Sequence, residues 1–275
     1  MAERILVTGG TGTTGSRVAR RLEEMGLSVA TGTRCPKEAG DVRFDWADPG
    51  SAAAFEGCSA AYLVAPTDRT DHLALMQPIL EQAMARGTRR FVLLSSSQFA
   101  PGGPMMGEVH AWLAANAPEW TVLRPSWFMQ NFSHGPHGRT IREDGAIFSA
   151  TGTGRVGFIS ADDIAGAAVA ALTARTSLDR DAILTGPAAL SYDDVARVIS
   201  GLLSRPVQHV SLTTEDLVQR HMALGMPRGY AEALSNLDEV IREGGEDRTT
   251  TEVLQLSGRE PMSFRQFAQG DSPRW

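Results

Sequence analysis

The feature that most constrains the fold of this chain is a glycine-rich turn near its start. An apolar segment leads directly into this turn, and a helical pattern follows it. The turn contains, in order, Val7, Thr8, Gly9, Gly10, Thr11, Gly12, Thr13, Thr14 and Gly15. Its glycines fit both G-x-G-x-x-G and T-G-x-x-G-x-x-G. Glycines at these spacings allow a tight turn and let backbone N–H groups approach a pyrophosphate closely. They also let the helix pack closely on the strand. The turn therefore predicts dinucleotide binding, and a purely structural glycine turn is the alternative.

Strand and helix patterns alternate through the first half of the chain. Strands are predicted at 4–7, 27–33, 42–45, 60–64, 90–95 and 121–124. Strands separated by helices form a parallel sheet that is covered on both faces. We therefore predict an α/β fold, with a doubly wound parallel sheet in a Rossmann domain over residues 1–155. Residues 156–275 are mostly helical and contain no linker, which predicts a smaller C-terminal cap that packs on the sheet and binds substrate.

The composition excludes several classes of function. The chain has 275 residues, 42% of them hydrophobic, and a formal net charge of −6, so neither nucleic acid nor a membrane surface is an expected partner. No apolar run approaches the about 18 residues of a membrane span. A strand pattern begins almost at the first residue and leaves no room for a signal peptide, which predicts a cytoplasmic protein. No metal site is predicted, because neither the two cysteines nor the pair His134 and His137 have further metal ligands at suitable spacing. The sequence leaves the oligomeric state open.

Basic residues at the end of the second strand indicate which cofactor binds. Enzymes that use NAD have an acidic residue about 20 residues after the glycines, where it binds the ribose 2′-hydroxyl. Arg34 occupies that place and Lys37 follows it. A guanidinium suits a 2′-phosphate, which favours NADPH over NADH. The alternative is that Arg34 points into solvent. Asp45 ends the third strand and is predicted either to bind the adenine amino group or only to cap the next segment.

The chain lacks the residue pair that most related enzymes use for proton transfer. A glycine motif that begins with Thr-Gly suggests the short-chain dehydrogenase/reductase superfamily, whose ordinary members use Tyr-x-x-x-Lys to exchange a proton with a carbonyl or alcohol. Lys37 is the single lysine of the chain, and none of the three tyrosines has a lysine four positions later. Reactions that depend on strong general-acid catalysis are therefore not expected.

Further segments resemble the NmrA-like, atypical branch of that superfamily. They are found at 91–97 (FVLLSSS), 103–113, 120–132, 156–165 and 256–261. The branch includes NADPH-dependent quinone oxidoreductases, dye reductases, isoflavone reductases and agroclavine dehydrogenases, together with a redox-sensing regulator. The resemblance is strongest to the quinone oxidoreductase and agroclavine dehydrogenase members and covers essentially the whole chain.

The resemblance implies a cofactor site that extends beyond the turn. It places Ala65, Pro66 and Ser95 beside the ribose and nicotinamide, and Pro125 beside the nicotinamide ring. Together with the motifs above, the predicted cofactor-binding residues are Thr8, Gly9, Gly10, Thr11, Gly12, Thr13, Thr14, Gly15, Arg34, Lys37, Asp45, Ala65, Pro66, Ser95 and Pro125. Isoflavone reductases have a lysine on the helix after the fifth strand, and Met106 falls near that position.

Candidates for catalysis and substrate binding follow the fifth strand. His110 lies four residues after Met106 and is the best remaining acid or base, unless it is a buried structural histidine. Ser126 could orient a polar group of the substrate. The predicted substrate-binding residues, which ordinary core packing would also explain, are Met106, Trp127, Phe128, Met129, Asn131, Met222 and Tyr230.

The sequence thus predicts an NAD(P)H-dependent oxidoreductase. Its expected reaction is hydride transfer from NADPH to a small hydrophobic or aromatic acceptor that is electron-poor, such as an iminium ion or a quinone, in secondary metabolism or detoxification. The alternative is a protein that senses the redox state of NADP(H) without turnover, since the missing proton-transfer pair is compatible with both.

Overall fold

The computed structural model describes residues 4–66, 69–271 and 275, which form two compact units. The first unit comprises Met1–Pro125, Ala161–Leu184 and Glu252–Arg259, and the second comprises Ser126–Ser160, Thr185–Thr251 and Glu260–Trp275. The sequence predicted a single boundary after residue 155, and the structure differs from that prediction. Two helices and a strand from the predicted cap, within 161–184 and 252–259, belong to the first unit. One helix packs on the large sheet, the strand extends the sheet, and the other helix packs on both of them.

The six strands predicted for the first half of the chain are found within two residues of their predicted bounds. The strands are β1 (Arg4–Thr8), β2 (Ser28–Thr33), β3 (Asp41–Arg43), β4 (Cys58–Val64), β5 (Arg90–Leu94), β6 (Glu119–Pro125), β7 (Ala146–Ser149), β8 (Arg155–Val156), β9 (Arg180–Leu184), β10 (Leu190–Ser191) and β11 (Gln208–Ser211). The helices are α1 (Gly15–Glu24), α2 (His72–Ala85), α3 (Met106–Asn116), α4 (Pro136–Asp144), α5 (Ala161–Thr173), α6 (Tyr192–Leu203), α7 (Thr214–Ala223), α8 (Arg228–Arg242), α9 (Glu252–Ser257) and α10 (Phe264–Asp271). None of these helices is long and apolar enough to cross a membrane.

The first unit is built on a seven-stranded parallel sheet. Its strand order is β3-β2-β1-β4-β5-β6-β9, so the order reverses between β1 and β4. Ligands of doubly wound folds bind at the carboxyl ends of the strands, next to such a reversal. The glycine turn follows β1 and therefore lies at this point of the sheet.

Helices cover both faces of the sheet. Phe91 and Leu93 of β5 belong to a buried cluster with residues of α2 and α3. Val92 lies between them, is equally buried and points to the opposite face, because successive side chains of a strand alternate. The helix α5 packs on β4, β5 and β6 and also contacts α1. The predicted doubly wound α/β fold is confirmed.

The second unit is mostly helical, as predicted for the C-terminal part. Its strands pair as β7 with β11 in parallel and β8 with β10 antiparallel. Rings of Phe132, Phe158, Tyr192 and Phe264 pack edge-on or tilted in its core. The helix α4 was not predicted, although Pro136 begins it and a left-handed Gly145 with φ +63° ends it, which is a common pattern of helix ends.

Candidate cofactor site

The glycine turn after β1 has a backbone that only glycine allows at several positions. Gly9 has a φ of +59°. A Cβ atom at Gly15 would lie 2.2 Å from the Gly9 carbonyl oxygen, and one at Gly10 would lie 2.3 Å from Cγ2 of Thr31. A Cβ at Gly12 would meet only the Gly9 oxygen, at 3.1 Å. Gly12 is exposed three residues before α1 begins, and this geometry fits a pyrophosphate held by a helix N-terminus.

Buried hydroxyl groups fix the turn to the neighbouring strand. Oγ1 of Thr8 accepts a hydrogen bond from the Val64 N–H at 2.8 Å and donates one to the Tyr62 carbonyl at 3.1 Å. The Tyr62 phenol donates to Oγ1 of Thr14 at 3.2 Å. Burial raises the pKa of Tyr62, so its hydroxyl stays protonated. Thr8 and Thr14 therefore support the turn, whereas Thr11 and Thr13 are exposed on it.

A cleft of about 770 Å³ lies along the carboxyl ends of β3, β2, β1 and β4. The predicted cofactor residues that line it are Gly9, Thr11, Gly12, Arg34, Asp45, Ala65 and Pro66. The structure thus gathers residues from four strand ends that are far apart in the sequence. The size of the cleft and its position beside the glycine turn suit the adenosine half of a dinucleotide.

Charged and aromatic groups line the part of the cleft beside β2 and β3. Arg34 is exposed there. The Asp45 carboxylate accepts a hydrogen bond from the Ala47 N–H at 3.0 Å, so it caps the following turn and also lines the cleft. The buried Trp46 donates from Nε1 to the Val64 carbonyl at 2.8 Å and was not predicted as a site residue. Its place directly after Asp45 is the signal that could have identified it.

A second cavity of about 390 Å³ adjoins the first and contains Lys37. Gly10 and Arg20 line it, whereas Thr11, Thr33 and Cys35 line both cavities. Three carboxylates, those of Glu23, Glu38 and Asp41, also line the second cavity. Lys37 is therefore in acidic surroundings and in a different cavity from Arg34, which leaves Arg34 as the better-placed cation for a 2′-phosphate.

A buried serine, Ser95, directly follows β5, the next strand along the sheet. The Ser95 N–H donates to the Leu123 carbonyl at 2.8 Å. Its hydroxyl is buried and has no hydrogen-bond partner among the described residues. A buried polar atom without a partner is costly, so this hydroxyl fits a position beside a bound polar group. Pro125 ends β6 nearby, and its carbonyl accepts from the Ser97 N–H at 2.9 Å.

The two candidate catalytic residues lie in different units. His110 on α3 is buried, with its ring centroid 5.5 Å from that of Trp120. Burial lowers the pKa of His110, and the Asp181 carboxylate partly opposes this shift. His110 does not line the cleft, and its surroundings favour the structural alternative. In the second unit, the buried Ser126 donates its hydroxyl to the Gly157 carbonyl.

The candidate substrate residues also lie in both units, and none of them lines the described cleft. Met106 packs against the core of the first unit. In the second unit, Met129 is buried in the core and Trp127 packs against it. The half-buried candidates of the second unit are Phe128, Asn131, Met222 and Tyr230.

Comparison with known proteins supports the assignment that this geometry suggests. A family model described as NAD(P)H-binding matches residues 9–175. The chain belongs to this family. It is 41% identical to the uncharacterized oxidoreductase YesF of Bacillus subtilis, over 98% of this chain and 96% of that protein. It is 38% identical to agroclavine dehydrogenase of Claviceps fusiformis, over 98% of each chain. Its fold matches a solved NADPH-dependent quinone oxidoreductase of Escherichia coli with a TM-score of 0.83 at 19% identity, over 97% of this chain and 99% of that one.

These findings confirm the predicted resemblance to the NmrA-like branch and the prediction of an NAD(P)H-dependent oxidoreductase. The glycine turn and the cleft beside it stay the predicted cofactor-binding part of the molecule. The roles of the individual cofactor, catalytic and substrate residues stay predictions.

Proposed function

We propose that this protein is a reductase that transfers hydride from NADPH to a hydrophobic, electron-poor acceptor, either an iminium ion or a quinone. The observation that carries the proposal is a complete dinucleotide turn without a proton-donating Tyr-Lys pair. Lys37 lies in the second cavity beside β2 and β3. Tyr62 is buried, and its hydroxyl is bonded to Thr14. Neither group is available as a proton donor at the reacting end of the cofactor.

The choice of NADPH over NADH rests on the end of β2. Arg34 is exposed in the cleft at the place where NAD enzymes have an acidic residue. A guanidinium there can form charge-assisted hydrogen bonds to a 2′-phosphate, and NADH has no group that would use it.

The acceptor class follows from the chemistry of hydride transfer. When bound, the cofactor supplies hydride from C4 of its nicotinamide. An iminium carbon that accepts hydride becomes a neutral amine, so no proton is needed. A quinone becomes a hydroquinone anion, which takes its proton from water. A ketone would become a strongly basic alkoxide and needs a general acid. The protein then has to bind, orient and shield the reactants, which requires apolar contacts rather than an acid.

The similarity to agroclavine dehydrogenase favours an iminium acceptor derived from a polycyclic amine. We propose that Phe128, Met222 and Tyr230, half-buried in the second unit, contact such an acceptor. Asn131 is proposed to orient a polar group on it. Met129 and Trp127 belong to the core of that unit and would support these contacts from behind.

A panel of acceptors tests the proposal directly. Purified protein is mixed with NADPH or NADH and with one of three compounds of similar size: an N-methyl dihydroisoquinolinium salt, menadione or tetralone. We expect oxidation of NADPH with the iminium salt or with menadione, slower oxidation of NADH, and no reaction with the ketone. Tight binding of NADPH without oxidation by any compound would overturn the proposal and favour the sensor alternative. Rapid reduction of tetralone would show that a proton donor exists.

A further inference from the structure

Arg124, at the end of β6, uses all three nitrogens of its guanidinium within the first unit. The side chain is only 11% exposed, and its Nη1 lies 2.7 Å from Oδ2 of Asp181 on β9. Nη2 donates to the Ser97 carbonyl at 2.9 Å, and Nε contacts the Ser96 carbonyl at 3.4 Å. One largely buried cation therefore joins the end of β6, the neighbouring strand β9 and the loop that follows β5.

That loop is held in place by its backbone, while one of its side chains is left without a partner. The N–H groups of Ser95 and Ser97 donate to the carbonyls of Leu123 and Pro125, which continues the pairing of β5 with β6 beyond Leu94. The carbonyls of Ser96 and Ser97 point to Arg124 instead. The Ser95 hydroxyl is buried and has no partner among the described residues. The loop is thus rigid and presents one unused hydrogen-bonding group.

The position of the loop on the sheet indicates what this rigidity serves. The cleft runs along the ends of β3, β2, β1 and β4, and it contains the residues suited to adenosine and pyrophosphate. The nicotinamide half of a dinucleotide must continue in the same direction, past β4. The next strand end in the sheet is that of β5, followed directly by Ser95.

We infer that Arg124 is a positioning residue for hydride transfer. Anchored by Asp181, it holds the backbone of Ser95–Ser97 so that this loop fixes the nicotinamide half of the cofactor in its reactive orientation. This inference rests on the proposed function, because it concerns the same reaction. Arg124 acts only through the loop, and no direct contact with the cofactor is required.

The conservative substitution Arg124→Lys separates charge from geometry. A lysine keeps the positive charge and can pair with Asp181, but its single ammonium cannot also reproduce the planar set of bonds to two carbonyls. The substitution therefore loosens the loop without leaving the half-buried Asp181 carboxylate unpaired.

Arg90 provides a matched control at the amino ends of the strands of the same sheet. It begins β5, is 14% exposed and pairs with Glu119 at 2.7 Å. Its Nη1 also donates to the carbonyls of Leu172 and Ala174. Arg90→Lys therefore removes the same kind of bonds, from a place far along the strands from the carboxyl ends.

The experiment compares the full-length wild type with Arg124→Lys and Arg90→Lys. We expect both variants to melt at a lower temperature and to bind NADPH within about threefold of the wild type, because the turn and the cleft are unchanged. Only Arg124→Lys should show faster hydrogen exchange at the Ser97 amide without cofactor, and altered fluorescence of bound NADPH. Its single-turnover rate of hydride transfer to menadione should fall about 10- to 100-fold, since misplaced reactants lose rate steeply.

The result that would overturn the inference is an equal loss of rate in both variants, with unchanged amide exchange and unchanged NADPH fluorescence.

Should Arg124→Lys fail to fold, Asp181→Asn keeps the arginine and its carbonyl bonds but weakens the anchor. It should show the same changes at smaller amplitude, and a wild-type exchange pattern in Asp181→Asn would equally contradict the inference. A wild type that never oxidises NADPH would refute the proposed function, while exchange and fluorescence still report on positioning.

Discussion

The proposed cofactor site runs along the carboxyl ends of the strands, and its two ends are built in different ways. The glycine-turn end consists of Gly9–Gly15, Arg34 and Asp45, and it relies on backbone geometry and on side chains that reach solvent. The β5–β6 end consists of Ser95–Ser97 after β5, Arg124 on β6 and Asp181 on β9, which form a part-buried network of hydrogen bonds. In the proposed function, the groups that bind the dinucleotide each follow a strand with its own local sequence signal, whereas orientation of the reactive half depends on bonds between β6, β9 and the loop after β5.

The largest effect is expected from Gly15→Ala at the glycine-turn end. Its Cβ would lie 2.2 Å from the Gly9 carbonyl oxygen, so the turn must shift. We expect the free energy of unfolding to fall by about 1–3 kcal/mol, as for other overpacked sites. NADPH affinity should fall at least about 100-fold, which corresponds to about 3 kcal/mol of binding free energy. Calorimetry measures both quantities.

Gly201→Ala is the control for that substitution. Gly201 lies in α6, and a Cβ there would have no neighbour within 4 Å. This variant should bind NADPH like the wild type and be slightly more stable, by about 0.5–1 kcal/mol. Wild-type NADPH binding by Gly15→Ala would show that the turn does not hold the cofactor.

The second prediction concerns Arg34, the charged group of the same end. Arg34→Ala should weaken NADPH binding about 10- to 100-fold, since hydrogen bonds to a charged group contribute about 1.5–3 kcal/mol. The affinity for NADH should change less than about twofold, because NADH lacks the 2′-phosphate. Arg43→Ala, an exposed arginine on β3 outside both cavities, is the control. Equal losses for both cofactors would contradict the assigned role of Arg34.

A third prediction uses salt to distinguish the two ends. Exposed charges are screened at high ionic strength, whereas buried pairs are screened much less. Raising the salt concentration from about 0.05 M to about 0.5 M should reduce the preference for NADPH over NADH about three- to fivefold. Exchange of the Ser97 amide should change less, because the Arg124 side chain is only 11% exposed and also bonds to two uncharged carbonyls. Strong salt dependence of that exchange would show that the β5–β6 end is solvent-accessible.

The smallest effect on rate is expected from His110→Phe. If no residue donates a proton, the rate of hydride transfer should stay within about threefold of the wild type. Burial lowers the pKa of His110 in the folded protein, so the unfolded chain takes up its proton first as the pH falls below about 6.5. The wild type should therefore lose stability in this range relative to His110→Phe. Thermal melts between pH 7 and pH 5 measure this difference, and a collapse of the rate would identify His110 as catalytic.

The same contrast explains how much the sequence could predict. The fold and the glycine-turn end were predictable, because hydrophobic periodicity, glycine spacing and Arg34 are all local signals. The assignment of α5 and β9 to the first unit was not, since the pairing of β9 with β6 joins segments more than fifty residues apart. Arg124 shows no local motif either, because its partners Ser97 and Asp181 are specified only by the fold. His110 was proposed from its residue type and its helical spacing, neither of which could reveal its contact with Trp120.

Isotope effects test the proposal that hydride transfer in this protein needs no catalytic acid. Reduction of the dihydroisoquinolinium salt is followed in single turnovers with NADPH deuterated at the transferred position, in light and in heavy water. We expect a primary isotope effect above about 2, a solvent isotope effect close to 1, and no protonation step in the pH profile, because hydride transfer completes the reaction without a catalytic acid. A large solvent isotope effect, with a pKa that disappears in His110→Phe or Tyr230→Phe, would contradict it.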